Sequence, residues 1–586
     1  MKRITVILAA LFVCAVSAHA IPAWKGFVKY TQPDGTVITL QKRGDEFCHW
    51  LSDASGRVYE KASDGFWRPA TSTSALAASK NAARERRRAA NAVRSNAGSP
   101  VAIGQKRFLV ILVEFSDLAF ASETAQQDFH NLLNQPGYSA NGATGSARDY
   151  YYDNSHGVFE PVFDVFGPIK LSKPKAYYGG NDSRGNDLRP EEAVVQGCEG
   201  LDEQIDFSLY DNDGNGDVDL VFMYYAGNGE ADSDDEDSIW PHQWDIRAGG
   251  ISLMLDGKQI GPYACSNENI GYGQLSGKMN GIGTACHEFG HAMGLPDFYD
   301  TDYTDNGEAS AMMSFSTMDS GCYNNEGRTP PYFTVEERIM LGWLPEDTIK
   351  EFSASGTVSL PSVDENIAYK TPTDMEGEYF VYECRSKQGW DTYLPAFGLI
   401  VTHIDKSSRK VTINGSSYSA KTLWDDWTMT NAINANGSHP CCYIVPSGAQ
   451  SNLRYNGRAA NVPFPGSSRV TSYAADSWNG VVSDIALSEI DYAGNTVSFY
   501  VSVPTEELDY EVISNPGNGV YNAGDVFQLQ LEASEPRPVA SVAWFFDDEP
   551  VDGASVVLKA GAHTVEAVVT LIGGVVRTLT LEIEVK

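Results

Sequence analysis

The chain has 586 residues, enough for about three to five domains of ordinary size. Hydrophobic content of 42% and aromatic content of 11% exclude a disordered polymer. A net charge of −34 and a pI near 4.6 argue against a nucleic-acid partner, whose phosphates need a basic surface. Acidic clusters would instead hold calcium or keep an exported protein soluble.

The N-terminus reads as an export signal spanning residues 1–20. Lys2 and Arg3 supply the positive start, Ile4 to Val16 the apolar run, and Ala18-His19-Ala20 an A-x-A cleavage site, so the mature chain would begin near Ile21. Cys14 follows Val13, which is too large for a usual lipobox. No later run of about 18 apolar residues suggests a membrane span, so a secreted or cell-surface location is expected. Export permits disulfides. Eight cysteines follow the signal: Cys48, Cys198, Cys265, Cys286, Cys322, Cys384, Cys441 and Cys442. Their spacings are irregular and contain no C-x-x-C, so no pairing is assigned.

Residues 21–97 read as a separate unit. Thr36 to Leu40 and Phe47 to Leu51 look like short strands. The Ala/Ser/Arg-rich stretch Thr71 to Asn96, with Arg86-Arg87-Arg88 and Arg94, has few large apolar residues to pack. It reads as an exposed, protease-sensitive linker closing a propeptide near Arg88–Arg94, against the plainer reading of an inert solvated helix. Cys48 is a candidate zinc cap for latency, with Asp45 and His49 as equals; the plainer reading of Cys48 is a packed strand residue.

Lys106 to Ser116 and Val218 to Ala226 are apolar runs typical of buried strands. Helical patterning covers Ala121 to Asn134, Ser146 to Asn154 and Val335 to Leu344. Together they predict an α/β (α+β) catalytic domain over residues 98–345.

Within it, Asp211-Asn212-Asp213-Gly214-Asn215-Gly216-Asp217-Val218-Asp219 alternates oxygen side chains around a sixth-position glycine, like the first half of an EF-hand loop. Asp211, Asp213, Asn215, Asp217 and Asp219 are candidate calcium ligands. Phe222 stands where the loop's closing Glu belongs, so another segment must complete the shell, and the acidic run Asp232, Asp234, Asp235, Glu236 and Asp237 is at hand. A polar turn entering a strand is the plainer alternative.

His287 to Asp297 has the form HExxHxxGxxD. Two histidines four apart share one helix face and can grip one zinc ion. Glu288 sits beside that face, placed to take a proton from zinc-activated water as general base. A catalytic zinc takes three protein ligands and leaves one position open. Gly294 permits a sharp turn, which brings Asp297 back as candidate third ligand; the next histidine is His403, too distant in sequence for a local site.

Beyond about residue 350 alternating strands dominate, including Tyr379 to Cys384, Gly398 to Ile404 and Thr496 to Val503, which gives a β-rich domain over residues 346–504. Residues 505–586 repeat the style in Phe527/Leu529/Leu531 and Leu579/Leu581/Ile583/Val585, with Trp544 as core and Gly573-Gly574 as a hairpin signal. An Ig-like β-sandwich is expected there.

With these pieces in order, the chain resembles the immune inhibitor A family of secreted bacterial metallopeptidases over about residues 100–500. The zinc motif carries the resemblance, together with Gly145 to Tyr150 before Asn154 to Gly157, and the Asp-rich loop followed by Ala226 to Glu230. Ile239 to His242 and Phe315 to Gly321 before Leu341-Gly342-Trp343 add to it. The resemblance implies a metzincin-like catalytic fold, zinc-dependent proteolysis of protein or peptide substrates, a propeptide and bound calcium. It makes Met318 the Met-turn residue beneath the metal. Tyr323 and Tyr332, downstream of that turn, are candidate oxyanion stabilisers, though each is also an ordinary structural tyrosine.

The leading expectation is therefore a secreted zinc endopeptidase made as a zymogen. A surface binding or adhesion protein with a silent zinc domain is the alternative; intact Glu288 disfavours it, because a decayed site usually loses its base first. A zinc deacetylase or amidase is disfavoured by the Met-turn match. The terminal sandwich is a candidate for cell-surface or glycan contact, or a spacer, and its sequence does not choose.

Overall fold

The computed structural model describes residues 19–80, 82, 102–182, 185–302, 307–413, 415–449, 454–504, 510–512, 519–533, 539–571 and 576–586. The signal residues before His19, the arginines of the basic linker, and Gly573-Gly574 lie outside the described residues. Among the described residues no helix is long and apolar enough to cross a membrane.

The chain enters as β1 (His19–Ala20) and then builds a five-stranded antiparallel meander. Its strands are β2 (Phe27–Thr31), β3 (Val37–Asp45), β4 (Cys48–Ser52), β5 (Val58–Lys61) and β6 (Trp67–Pro69). Tyr30, Leu40 and Leu51 form its small core. Residues 74–80 are helical.

The central sheet contains β7 (Gly104–Glu114), β8 (Phe159–Lys170), β9 (Val221–Asn228) and β10 (His242–Asp245). After the hairpin β11 (Leu253–Leu255) and β12 (Lys258–Ile260) comes its last strand, β13 (Pro262–Asn269). The order is β1-β10-β13-β9-β7-β8. β8, β7, β9 and β13 are parallel; β10 runs antiparallel to β13, and β1 pairs antiparallel with β10. A parallel centre must be covered on both faces, which explains the unbroken apolar run of β7. Phe108, Val110 and Leu112 face one core with α1 (Ala125–Asn134), α2 (Ala147–Asn154) and α4 (Gly283–Met293). Leu109, Ile111 and Val113 face the other, closed by α3 (Pro190–Leu201).

Several boundaries differ from the sequence expectation for physical reasons. β9 begins at Val221 because Val218 and Asp219 donate their N–H groups to Gln259 and Tyr210 carbonyls. α1 starts at Ala125; the N–H of Ala121 goes instead to Glu268 at 2.7 Å. α2 begins after Ser146, which makes a capping box with Asp149. α5 (Val335–Met340) opens on the Thr334/Glu337 capping box and stops before Gly342, at φ +72°. The twelve residues of β8 were not expected as a strand; they lie at the sheet edge, where Pro161 and Pro168 are tolerated.

The β-rich part has a five-stranded and a four-stranded sheet, facing each other across Leu360, Phe380, Tyr382, Leu399 and Phe499. Strands Glu378–Arg385 and Gly398–Asp405 alternate sides. Their Val381, Ile400 and Ile404 enter the same core as Phe289 and Met318. The β-rich part therefore packs into the core that holds α4. Arg385, with a side chain 0% exposed, ties the junction. It donates to both Asp391 oxygens at 2.6 and 2.7 Å, to Glu383 at 3.0 Å, and to the carbonyls of Phe315 and Tyr332 at 3.0 and 2.8 Å. Removing one member of such a network strands buried charge. Arg385→Ala is expected to cost about 3–5 kcal/mol, read from denaturant melts of the full chain; a loss below about 1 kcal/mol would contradict this role.

The last segment has a four-stranded sheet in the order Glu549–Pro550, Val539–Phe546, Gly561–Leu571, Val576–Val585, and two two-stranded pairs. Phe527, Leu529, Val565, Ile583 and Val585 fill its core, with Trp544 half-buried against it. All eight described cysteines are buried.

Candidate metal centre

Every residue of α4 is buried, and His287, Glu288 and His291 are each 0% exposed. His287 Nδ1 lies 2.8 Å from the Thr317 carbonyl and His291 Nδ1 2.9 Å from that of Leu295. A carbonyl only accepts, so each Nδ1 carries the proton and each Nε2 keeps its lone pair. Those lone pairs converge: the two Nε2 atoms are 3.1 Å apart, and Asp297 Oδ1 is 3.2 Å from each. Ligand arms of about 2.0–2.1 Å in a tetrahedron give ligand separations of about 3.3 Å. The donor set therefore fits a single zinc-sized ion. Gly294 closes α4 at φ +112° and accepts the turn that returns Asp297.

The turn after residue 315 holds this arrangement from below. Thr317 supplies the carbonyl for His287, and the Met318 carbonyl accepts from Phe298 N at 2.9 Å. Met318 is 0% exposed; a Cβ on Gly290 would lie 2.6 Å from its sulfur, so any larger residue there would push the Met318 side chain aside. Ser316 Oγ receives Met318 N at 3.0 Å and donates to Glu337 at 2.6 Å, tying the turn to the capping box of α5. Tyr150, from α2, adds hydrogen bonds to Thr317 and the Pro331 carbonyl.

The chain's own N-terminal segment passes directly over Glu288. Ala20 pairs with His242 of β10, and Ile21 N–H donates to Glu288 Oε1 at 2.9 Å across 267 residues. Ile21, 1% exposed, packs with Ala231, Trp240 and Cys322. The Ile21 carbonyl accepts from Trp240 Nε1 at 3.1 Å, the Pro22 carbonyl from Tyr323 hydroxyl at 2.7 Å, and Trp24 N donates to Ala231 O at 3.1 Å. Trp24 stacks on Tyr272. Burial holds the Tyr323 phenol well above its ordinary pKa, so it stays a donor. The segment is pinned on buried acids: Lys25 pairs with Asp319 and Lys42 with Glu230, and His49 Nε2 lies 3.1 Å from Glu230. Burial raises Asp232, next to Ala231, to about 7.

Several expected residues are placed elsewhere. Tyr332 has its hydroxyl beside Gly389 and its ring over Arg338, and Tyr323 is committed to a carbonyl two residues past Ala20. Of the latency candidates, Asp45 caps the N–H groups of Phe47 and Cys48, Cys48 packs with Phe47, and His49 meets Glu230. In the Asp-rich loop, Asp211, Asp213 and Asp219 bring oxygens within 4.8 Å of one another. Asn215 bonds to Asp213, and Asp217 pairs with Arg247 at 2.7 Å. The later acidic run is engaged elsewhere, Asp232 with Gly271 N, Asp235 with Lys175 and Glu236 with Lys61. The contact of Trp240 with Ile21 was legible only in that Trp240 belongs to the Ile239 to His242 motif.

Residues 101–338 match the catalytic-domain model of immune inhibitor A peptidase M6. This segment resembles the M6 peptidase catalytic domain. It is 27% identical over 274 residues to the pre-pro-metalloprotease PrtV of Vibrio cholerae, covering 40% of this chain and 29% of that protein. It is 25% identical over 274 residues to immune inhibitor A of Bacillus thuringiensis subsp. alesti, covering 40% and 39%. The similarity thus spans well under half of either relative. A crystal structure of catalytically inactive OgpA from Akkermansia muciniphila, bound to an O-glycopeptide, aligns with 83% of this chain and 95% of that one, at 9% identity and a TM-score of 0.21. That score is too low to bear on fold or ligand. The convergent donors and Glu288 all lie within the matched residues 101–338.

Proposed function

We propose that this chain is a secreted zinc endopeptidase made as a zymogen, with a metzincin-like catalytic segment and an Ig-like last segment. His287, His291 and Asp297 are the zinc ligands and Glu288 is the general base. The observation that carries the reading is the convergence of three buried donor atoms beside a carboxylate that already touches a threaded backbone nitrogen.

Bound zinc would polarise the scissile carbonyl and lower the pKa of a water from near 16 to roughly 7. Glu288 takes the proton from the attacking water and delivers it to the leaving nitrogen. Ile21 N marks that nitrogen's position, 2.9 Å from Oε1. A substrate strand pairs with β10 before the bond and is gripped after it by Trp240, Ala231 O and Tyr323, as residues 19–24 are here. Asp211, Asp213 and Asp219 are hard oxygen donors suited to calcium.

Casein cleavage by purified protein freed of residues 21–97 is expected to vanish with a zinc chelator and return with added zinc. Zinc-replete protein of that length that cleaves nothing would weigh against the reading. Activity that survives chelation with no bound metal would end it.

A further inference from the structure

The metal centre is not closed within the M6 domain. Asp297 presents Oδ1 to the two histidines. Its other oxygen, Oδ2, accepts from Asn431 Nδ2 at 2.5 Å, and its backbone N–H donates to Asn431 Oδ1 at 2.9 Å, across 134 residues. One primary amide thus grips one aspartate at two points. Only an amide offers a donor and an acceptor in this geometry. An aspartate at 431 would set carboxylate against carboxylate, and an apolar side chain would leave Oδ2 and the Asp297 N–H without this partner.

Asn431 is itself firmly placed. It is 0% exposed and ends the short helix Trp427–Thr430 at φ +40° and ψ +48°. That left-handed conformation is tolerated by Asn better than by other residues with a side chain. Its N–H donates to Trp427 O at 2.7 Å, and its carbonyl accepts from Thr301 Oγ1 at 2.7 Å. Asn434 donates to the Phe298 carbonyl at 2.8 Å and fixes the next residue of the ligand loop.

We propose that Asn431, supplied by the β-rich part, is a positioning residue that orients Asp297 toward the metal, so that metal binding depends on a segment outside the M6 domain. The inference rests on reading His287, His291 and Asp297 as zinc ligands. Partners that orient a ligand typically contribute 10- to 100-fold in metal affinity.

The test is zinc affinity of the full chain by competition with a chromogenic chelator, with circular dichroism to confirm folding. Asn431→Gly suits the left-handed backbone, Asn431→Asp keeps the shape, Asn431→Ala removes the amide, and His287→Ala is the control. The parent is expected to bind one zinc, and each folded Asn431 variant to bind it about 10- to 100-fold more weakly. Parental affinity in any folded variant lacking the amide overturns the proposal. A parent that binds no better than His287→Ala overturns the zinc reading instead.

Discussion

Glu288→Ala is expected to lower kcat/KM for peptide cleavage by about 10³-fold or more while the zinc content stays at one per chain. General acid–base catalysis by a placed side chain contributes roughly 10²–10⁴-fold. The three convergent donors do not include Glu288, so its removal leaves their geometry intact. Its Oε1 is the atom that meets the nitrogen of the threaded segment. The two readouts separate roles: loss of zinc together with activity would make Glu288 a structural prop of α4, and cleavage near the parental rate would remove it from the mechanism. Glu288→Gln, which keeps shape and loses basicity, should match Glu288→Ala in rate.

What could be read in the sequence is what depends on near neighbours. The helix spacing of His287 and His291, the glycine turn and Asp297 lie within eleven residues, and the fold brings their donor atoms together. Ser146 and the apolar run of β7 were legible for the same reason. Contacts between distant segments were not. β13 escaped notice because Ser266, Asn267 and Glu268 are buried polar residues in a strand whose partners are remote. Nothing near Asn431 signals that it will meet Asp297. Cys48, Asp45 and His49 suit zinc by their side chains, whereas Ile21 meets Glu288 through its backbone, a contact that no side-chain chemistry announces.

That contact leads to the second large expectation: weakening the hold of residues 21–24 should switch on the unprocessed protein. Cleavage after Ala20 would turn the Ile21 amide into an ammonium group, which pairs with the Glu288 carboxylate more strongly than an amide does. Glu288 is then occupied. The hold is largely apolar. Ile21 is buried against Trp240 and Cys322, and Trp24 stacks on Tyr272 at 4.4 Å between ring centroids. Losing both side chains in Ile21→Ala/Trp24→Ala should cost about 2–4 kcal/mol, or roughly 30- to 1,000-fold in the closed-to-open ratio. Neither residue belongs to the peptidase segment, so protein freed of residues 21–97 keeps its activity. The measurement is initial-rate cleavage of a quenched fluorescent peptide by unprocessed chain, with gel samples showing that residues 21–97 are still attached. A rise toward the processed rate supports latency by threading. A double variant as silent as the parent, with the segment intact and zinc bound, would place latency in the contacts of Lys25, Lys42 and His49 with Asp319 and Glu230, and not in the threaded strand.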